Sequence, residues 1–413
     1  MIDYEKHTLS NGLTVIAHRD KATPMAAVNI IYKVGSKNEN PSRTGFAHLF
    51  EHLMFGGSVN IPDFDMPLQI ACGENNAFTN TDYTDYYITL PKDNIETALW
   101  LESDRMLSLS FNRKSLEVQR KVVMEEFNQR YINQPYGDLW MLMRSLVYKV
   151  HPYRWATIGI TPDHLRDATM DDVKAFYAKY YNPDNAILAV AADMEAEKVF
   201  ALAEKWFGDI IKRTTAKDEI PAEPQQAEAR RLEVRRDVPA SVIVTAFHMP
   251  ARTSPGYYTC DVISDILSNG NSSRMYRNLV KGNGLFSSVN AYVTGESDPG
   301  LFVVTGHLLP GTTPEVAEAA LWEELDNLKK ELVPVYERDK VQNKYESETV
   351  FGELNVMNKA LNLCYYEMLG DITLINREVE LHRAVTREHI RNYSVKFFTP
   401  QRSSTLLYLK NDE

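Results

Sequence analysis

The sequence predicts an α+β chain built from two related halves, and three observations carry that prediction. Thr169 to Pro183 reads Thr-Met-Asp-Asp-Val-Lys-Ala-Phe-Tyr-Ala-Lys-Tyr-Tyr-Asn-Pro, and Thr386 to Pro400 repeats its pattern at an offset of 217 residues (386 − 169). Each copy is a capped amphipathic helix leading into an apolar strand, Ala186–Ala191 in one case and Ser404–Leu409 in the other. Between the copies, residues 212–231 are polar and proline-bearing, a linker composition.

The elements follow in order. Pro24 to Ile31 and the run from Pro239 onward are rich in β-forming residues and pair as the opening strands of the two halves. Residues 42–58 predict a helix, with Ser42 or Thr44 as its cap and Gly56-Gly57 as its stop. Phe46, Leu49, Phe50, Leu53 and Met54 give that helix an apolar surface to bury. Glu74–Asn80 and Tyr83–Leu90 predict a turn leading into an aromatic strand. Residues 116–130 are strongly helix-forming, with Val118, Val122 and Phe127 at core-like spacing.

Composition sets bounds. At 413 residues the chain is long enough for two or three domains. A formal net charge of −11 argues against nucleic acid as the main partner, because phosphate binding needs a basic surface. Cys72, Cys260 and Cys364 are isolated and odd in number, which predicts buried thiols in a reducing compartment rather than a disulfide framework. The first residues do not read as a signal peptide, and no apolar run is long enough to span a membrane. The expected compartment is the cytoplasm, with the periplasm the alternative if a signal peptide has been trimmed away.

The chemistry concentrates in residues 48–52, His-Leu-Phe-Glu-His. On a helix, His48 and His52 are one turn apart and share a face, with Glu51 beside them. Two imidazoles suit Zn²⁺, and a neighbouring carboxylate suits a general base acting on water. The bland alternative is a surface helix with two solvated histidines. A catalytic zinc commonly has a third protein ligand, and the 116–130 helix offers adjacent Glu125 and Glu126. These lie about 100° apart around the axis, so only one can face a given metal. The alternative there is a pair of acids on a solvated face.

With these residues in hand, the chain resembles the M16 zinc peptidases, the family of pitrilysin, insulin-degrading enzyme and mitochondrial processing peptidase. Its signature is an inverted H-x-x-E-H motif, followed after a long gap by a glutamate in a pattern like E-R-x-V-V-x-E-E. Here the second part reads Gln119-Arg120-Lys121-Val122-Val123-Met124-Glu125-Glu126, after 73 intervening residues (126 − 52 − 1). The resemblance implies His48, His52 and Glu126 as zinc ligands and Glu51 as the base. One departure is Gln119, where the family often has glutamate. Seven residues before Glu126 it shares a helix face, and its amide could orient that ligand without supplying charge.

The same resemblance implies two homologous domains, each a mainly antiparallel sheet with helices packed on it. Residues 1–211 would carry zinc, 212–231 would link, and 232–413 would form an inactive domain that helps enclose substrate in a clamshell chamber. The matching helix there, near Tyr258–Leu267, has no histidine. Asn76 and Ala77 would lie on an edge strand that pairs with extended substrate. Where many members carry an Arg and a Tyr for gripping substrate, this chain has Val280 and Ser287. That implies the zinc-bearing partner of a heterodimer whose sister subunit lacks the zinc motif, or a homodimer anchored differently. The implied activity is zinc-dependent hydrolysis of short or unfolded peptides. A non-catalytic scaffold subunit is the competing class.

Overall fold

In a computed structural model the described residues are 1–213 and 218–411. They form two compact units, each an α+β layer structure.

The first unit contains a six-stranded sheet in the order β1-β2-β6-β3-β5-β4. Its strands are β1 (Glu5–Thr8), β2 (Thr14–Arg19), β3 (Met25–Tyr32), β4 (Glu74–Thr79), β5 (Thr84–Pro91) and β6 (Ala186–Ala192). Pairing is antiparallel except between β2 and β6. β6 is buried along its whole length and β3 along nearly all of it, as strands covered on both faces must be.

The second unit repeats the plan. Its five strands are β7 (Arg230–Arg236), β8 (Val242–His248), β9 (Phe286–Val293), β10 (Leu301–Leu308) and β11 (Ser403–Lys410), in the order β7-β11-β8-β10-β9. Again one pair, β7 with β11, is parallel and the rest antiparallel. The expected duplication is thus present strand for strand, β2-β6-β3-β5-β4 matching β7-β11-β8-β10-β9. Both repeated helices, Met170–Tyr180 and Arg387–Phe397, open with a capping box, at Thr169 with Asp172 and at Thr386 with His389.

The expected division into 1–211, 212–231 and 232–413 does not follow the packing. The first unit comprises Met1–Gln129, Trp155–Pro221 and Val350–Asn376; the second comprises Arg130–Arg154, Ala222–Thr349 and Arg377–Glu413. Each half of the chain lends a helix to the other unit. Val356–Met368 packs on β3 and β6, burying Ala360, Leu363 and Cys364. Leu139–Val147 packs on β11, β7 and β8, burying Leu139, Met143 and Val147. The physical reason is that each sheet has two apolar faces. In β8, Ile243 and Phe247 join one core, while Val242, Val244 and Ala246 join the core that the lent helix completes.

The expected linker is only partly a connector. Residues 214–217 lie outside the described residues, and Arg230 and Arg231 already belong to β7. What remains is tied down at both ends. Asp218 accepts from Tyr180 Oη at 2.8 Å, and Glu223 accepts the backbone amides of Lys149, Val150 and His151 at 2.8–2.9 Å. Of the cysteines, Cys260 and Cys364 are buried as expected, whereas Cys72 is exposed in a left-handed turn at φ 55°. Among the described residues no helix is long and apolar enough to cross a membrane.

Candidate metal centre

The helix carrying His48 and His52 spans Phe46–Leu53, shorter than the expected 42–58. Neither Ser42 nor Thr44 caps it. The N-cap is Gly45 at φ 90°, a left-handed conformation that glycine adopts without strain. The carboxylate of Glu39 takes the helix-start amides instead, accepting from Gly45 N and Ala47 N at 2.8 Å each. Thr44 Oγ1 is used elsewhere, accepting from Ile160 N at 2.8 Å. Phe46, Ala47, Leu49, Phe50 and Leu53 are buried, with Phe50 stacked on Phe176 at 4.8 Å. That packing leaves His48, Glu51 and His52 half-buried.

The second segment is the helix Arg113–Phe127, capped by Asn112 Oδ1 through Lys114 N and Ser115 N. Its buried residues are Leu116, Val123 and Phe127. The expectation that Val118 and Val122 enter the core is therefore corrected: both are exposed, because the helix turns the Leu116–Val123–Phe127 stripe inward. This rotation brings Glu126 to the two imidazoles and leaves Glu125 in solvent, where it accepts from Gln129 at 3.3 Å.

Glu126 Oε2 lies 3.7 Å from His48 Nε2 and 3.6 Å from His52 Nε2. One ligand atom from each of the three residues falls within 4.8 Å of the other two, and the imidazole rings meet edge to face at 4.9 Å between centroids. Two ligands about 2.0–2.1 Å from a tetrahedral zinc stand about 3.4 Å apart. The nitrogen–oxygen separations are close to that figure, and two imidazoles with one carboxylate form a donor set suited to zinc. The residues fit the ion. Among the described residues this is the one cluster of histidine, cysteine and acidic side chains with that property.

Glu51 lies on the same helix, beside strand β4. β4 pairs with β5 alone and is an edge of its sheet, which is where the resemblance puts Asn76 and Ala77. Asn76 is exposed, and its Oδ1 accepts from Ala77 N at 2.9 Å. The residue that reaches Glu51 is Thr79, whose hydroxyl donates to Glu51 Oε2 at 2.6 Å. Sequence reasoning missed this contact. Strand periodicity offered a signal, because Thr79 is two residues beyond Ala77 and faces the same side. Gln119 is half-buried on the same helix as Glu126.

Behind this layer lies a buried polar shelf that the sequence did not reveal. Tyr86 Oη and Tyr181 Oη are 3.0 Å apart, and the Arg105 guanidinium sits 4.3 Å from the Tyr86 ring while donating to Glu102 at 2.8 Å. Burial pushes both tyrosine hydroxyls well above their ordinary range, so they stay neutral donors.

Among the described residues of the second unit there is no equivalent cluster. Its corresponding helix, Pro255–Ser268, packs on β9 without a histidine, and its Asp261 lies 3.1 Å from His382. Val280 packs against the core and Ser287 is exposed, donating to His307 O at 3.3 Å. In Ser273-Arg274-Met275-Tyr276, Ser273 and Met275 are buried and Arg274 pairs with Glu337 at 2.7 Å, a packing role.

Comparison with known proteins agrees with this layout. Residues 14–140 match Insulinase (Peptidase family M16), and residues 167–345 match the Peptidase M16 inactive domain. The Zinc protease PqqE of Helicobacter pylori is 33% identical over 351 residues, covering 82% of this chain and 78% of that protein. The uncharacterized zinc protease YmxG of Bacillus subtilis is 21% identical over 406 residues, 98% of each chain. The crystal structure of a protease from Helicobacter pylori covers 100% of both chains with a TM-score of 0.93 at 28% identity. Pitrilysin shares the fold at a TM-score of 0.80 and 18% identity, with 99% of this chain spanning 45% of that one. This chain belongs to the M16 peptidase family.

Proposed function

We propose that the chain is a zinc-dependent endopeptidase acting on short or unfolded peptides, with His48, His52 and Glu126 as ligands and Glu51 as the general base. The observation that carries this reading is the meeting of those three donors beside Glu51 and an open strand edge. Zinc held there supplies Lewis acidity, polarising a carbonyl and making water a nucleophile near neutral pH. Glu51 takes the proton from the attacking water and returns it to the departing amine. Thr79 holds one oxygen of that carboxylate in place. The β4 edge around Asn76 and Ala77 aligns the substrate by strand addition, which admits extended backbone and excludes folded chains.

The proposal extends to assembly. Val280 and Ser287 offer neither cation nor phenol for gripping substrate. A sister M16 subunit supplying those groups is the expected partner, and a homodimer is the alternative.

The test is zinc content together with cleavage of a quenched peptide library. Wild-type protein should hold one zinc per chain and cleave. Glu51→Gln should keep its zinc while turnover falls by about 10²–10⁴-fold, the range typical of a general base. A chain that binds no zinc and cleaves nothing would be a scaffold subunit. Full activity from the lone chain, unchanged by any added subunit, would argue against the heterodimer.

A further inference from the structure

We propose that Glu39 is a positioning residue: its buried carboxylate caps the Phe46–Leu53 helix and sets the orientation in which His48 and His52 face Glu126. The proposal rests on the zinc reading above.

The first turn of any helix leaves amide donors without partners inside the helix. A serine or aspartate at the N-cap commonly accepts one of them. Here the N-cap is Gly45, which has no side chain to offer, and a Cβ there would lie 2.6 Å from Ile158 O. A local cap is sterically barred. Glu39 acts from outside, with Oε2 accepting from Gly45 N and Oε1 from Ala47 N, both at 2.8 Å.

The cap is anchored to the rest of the site. Glu39 closes the short turn Ser36–Asn38, and that turn is held against the end of the β4–β5 hairpin. Ser36 N donates to Asn80 O at 3.1 Å and Lys37 N to Thr81 O at 3.0 Å, while Trp155 Nε1 donates to Ser36 O at 2.9 Å. The approach is close: a Cβ on Gly35 would lie 2.5 Å from Thr81 O. One rigid turn therefore joins the hairpin that presents Thr79 to the helix that presents Glu51 and both histidines.

The arrangement matters because the helix has eight residues, too few to persist without outside support. His48 is its third residue, so fraying of the first turn displaces a ligand directly. Glu39 is 7% exposed, and burial pushes its carboxyl up to about 8 against the pull of the helix amides. A solvated serine cap would stabilise the helix at lower desolvation cost. What the buried carboxylate adds is a fixed attachment between two parts of the site.

The test measures zinc affinity by chelator competition and amide hydrogen exchange on the full chain. Glu39→Gln offers one acceptor oxygen where two amides are aimed, and sets its NH₂ against the other. Its zinc dissociation constant should rise about 10- to 100-fold, the range for lost support of a ligand. Gly45 and Ala47 amides should exchange faster, with those of β8 unchanged. Wild-type zinc affinity in folded Glu39→Gln would overturn the proposal. If that variant does not fold, exchange in the metal-free wild-type chain decides. Gly45 and Ala47 amides protected like those of β3 support the cap, and fast exchange overturns it. Wild-type protein that binds no zinc while those amides stay protected would refute the zinc reading and leave the cap standing.

Discussion

Thr79 donates its hydroxyl to Glu51 Oε2 at 2.6 Å, joining the edge strand β4 to the helix that carries His48 and His52. A hydrogen bond to an ionised group contributes about 1.5–3 kcal/mol, equivalent to roughly 10- to 100-fold in rate. Thr79→Val keeps the shape and removes the donor. Steady-state kinetics should show kcat lowered by about that factor with KM within a few-fold, and Thr79→Ser should recover most of it. Unchanged kcat in Thr79→Val would mean that Glu51 does not depend on this bond.

Glu125 and Glu126 give a paired control within one helix. Glu126 faces both imidazoles, while Glu125 is exposed and bonded to Gln129. A neutral amide is a poor zinc ligand beside two imidazoles. Glu126→Gln should therefore weaken zinc binding at least about 100-fold, and Glu125→Gln should leave it within a few-fold. Metal analysis after dialysis against a weak chelator reads the difference. Equal loss in both variants would point to disturbance of the whole helix.

The sequence revealed these features unevenly, for physical reasons. Helix geometry fixes where residues four apart project, so His48 and His52 could be placed together without a structure. The 217-residue repeat survives because a capped helix followed by a strand has strong local grammar at Thr169 and Thr386. Glu39 was not legible, since its role depends on a turn folding back onto Gly45 rather than on periodicity. Val118 and Val122 misled because Val122 and Val123 are adjacent, and only tertiary packing selects Val123 as the buried one. The exchange of helices was invisible for a related reason: an amphipathic pattern shows that Leu139–Val147 has a face to bury, but not which sheet receives it.

That exchange predicts how fragments behave. Residues 1–211 lack Val356–Met368, leaving the sheet surface at β3 and β6 without Ala360, Leu363 and Cys364. Residues 232–413 lack Leu139–Val147 and the burial of Met143 and Val147 against β8 and β11. Each fragment expressed alone should aggregate or unfold without a cooperative urea transition. Extending neither linker nor termini should help, whereas producing both fragments in one cell should yield a soluble complex. A cooperative transition from 1–211 alone would show that the lent helix is dispensable.

The first sheet also predicts how stability varies with pH. Asp85 on β5 is 0% exposed, and Asn29 Nδ2 donates to its Oδ1 at 2.7 Å. Burial raises its carboxyl to about 8, and nearby Glu102 adds to the rise. A folded-state value above the unfolded one means that the native chain binds the proton more tightly. The associated stability is complete below the unfolded value near 4 and is lost as pH climbs towards about 8. Each such group lowers stability by on the order of 1 kcal/mol per pH unit across that window. Asp85→Asn mimics the neutral acid and has no proton to lose. Urea denaturation between pH 5 and 9 should show a shallower decline in Asp85→Asn than in wild type, with the variant the more stable at pH 9. Some slope should persist, because Glu39 is raised to about 8 by the same cause. Parallel curves for the two proteins would mean that Asp85 is already ionised in the fold at neutral pH.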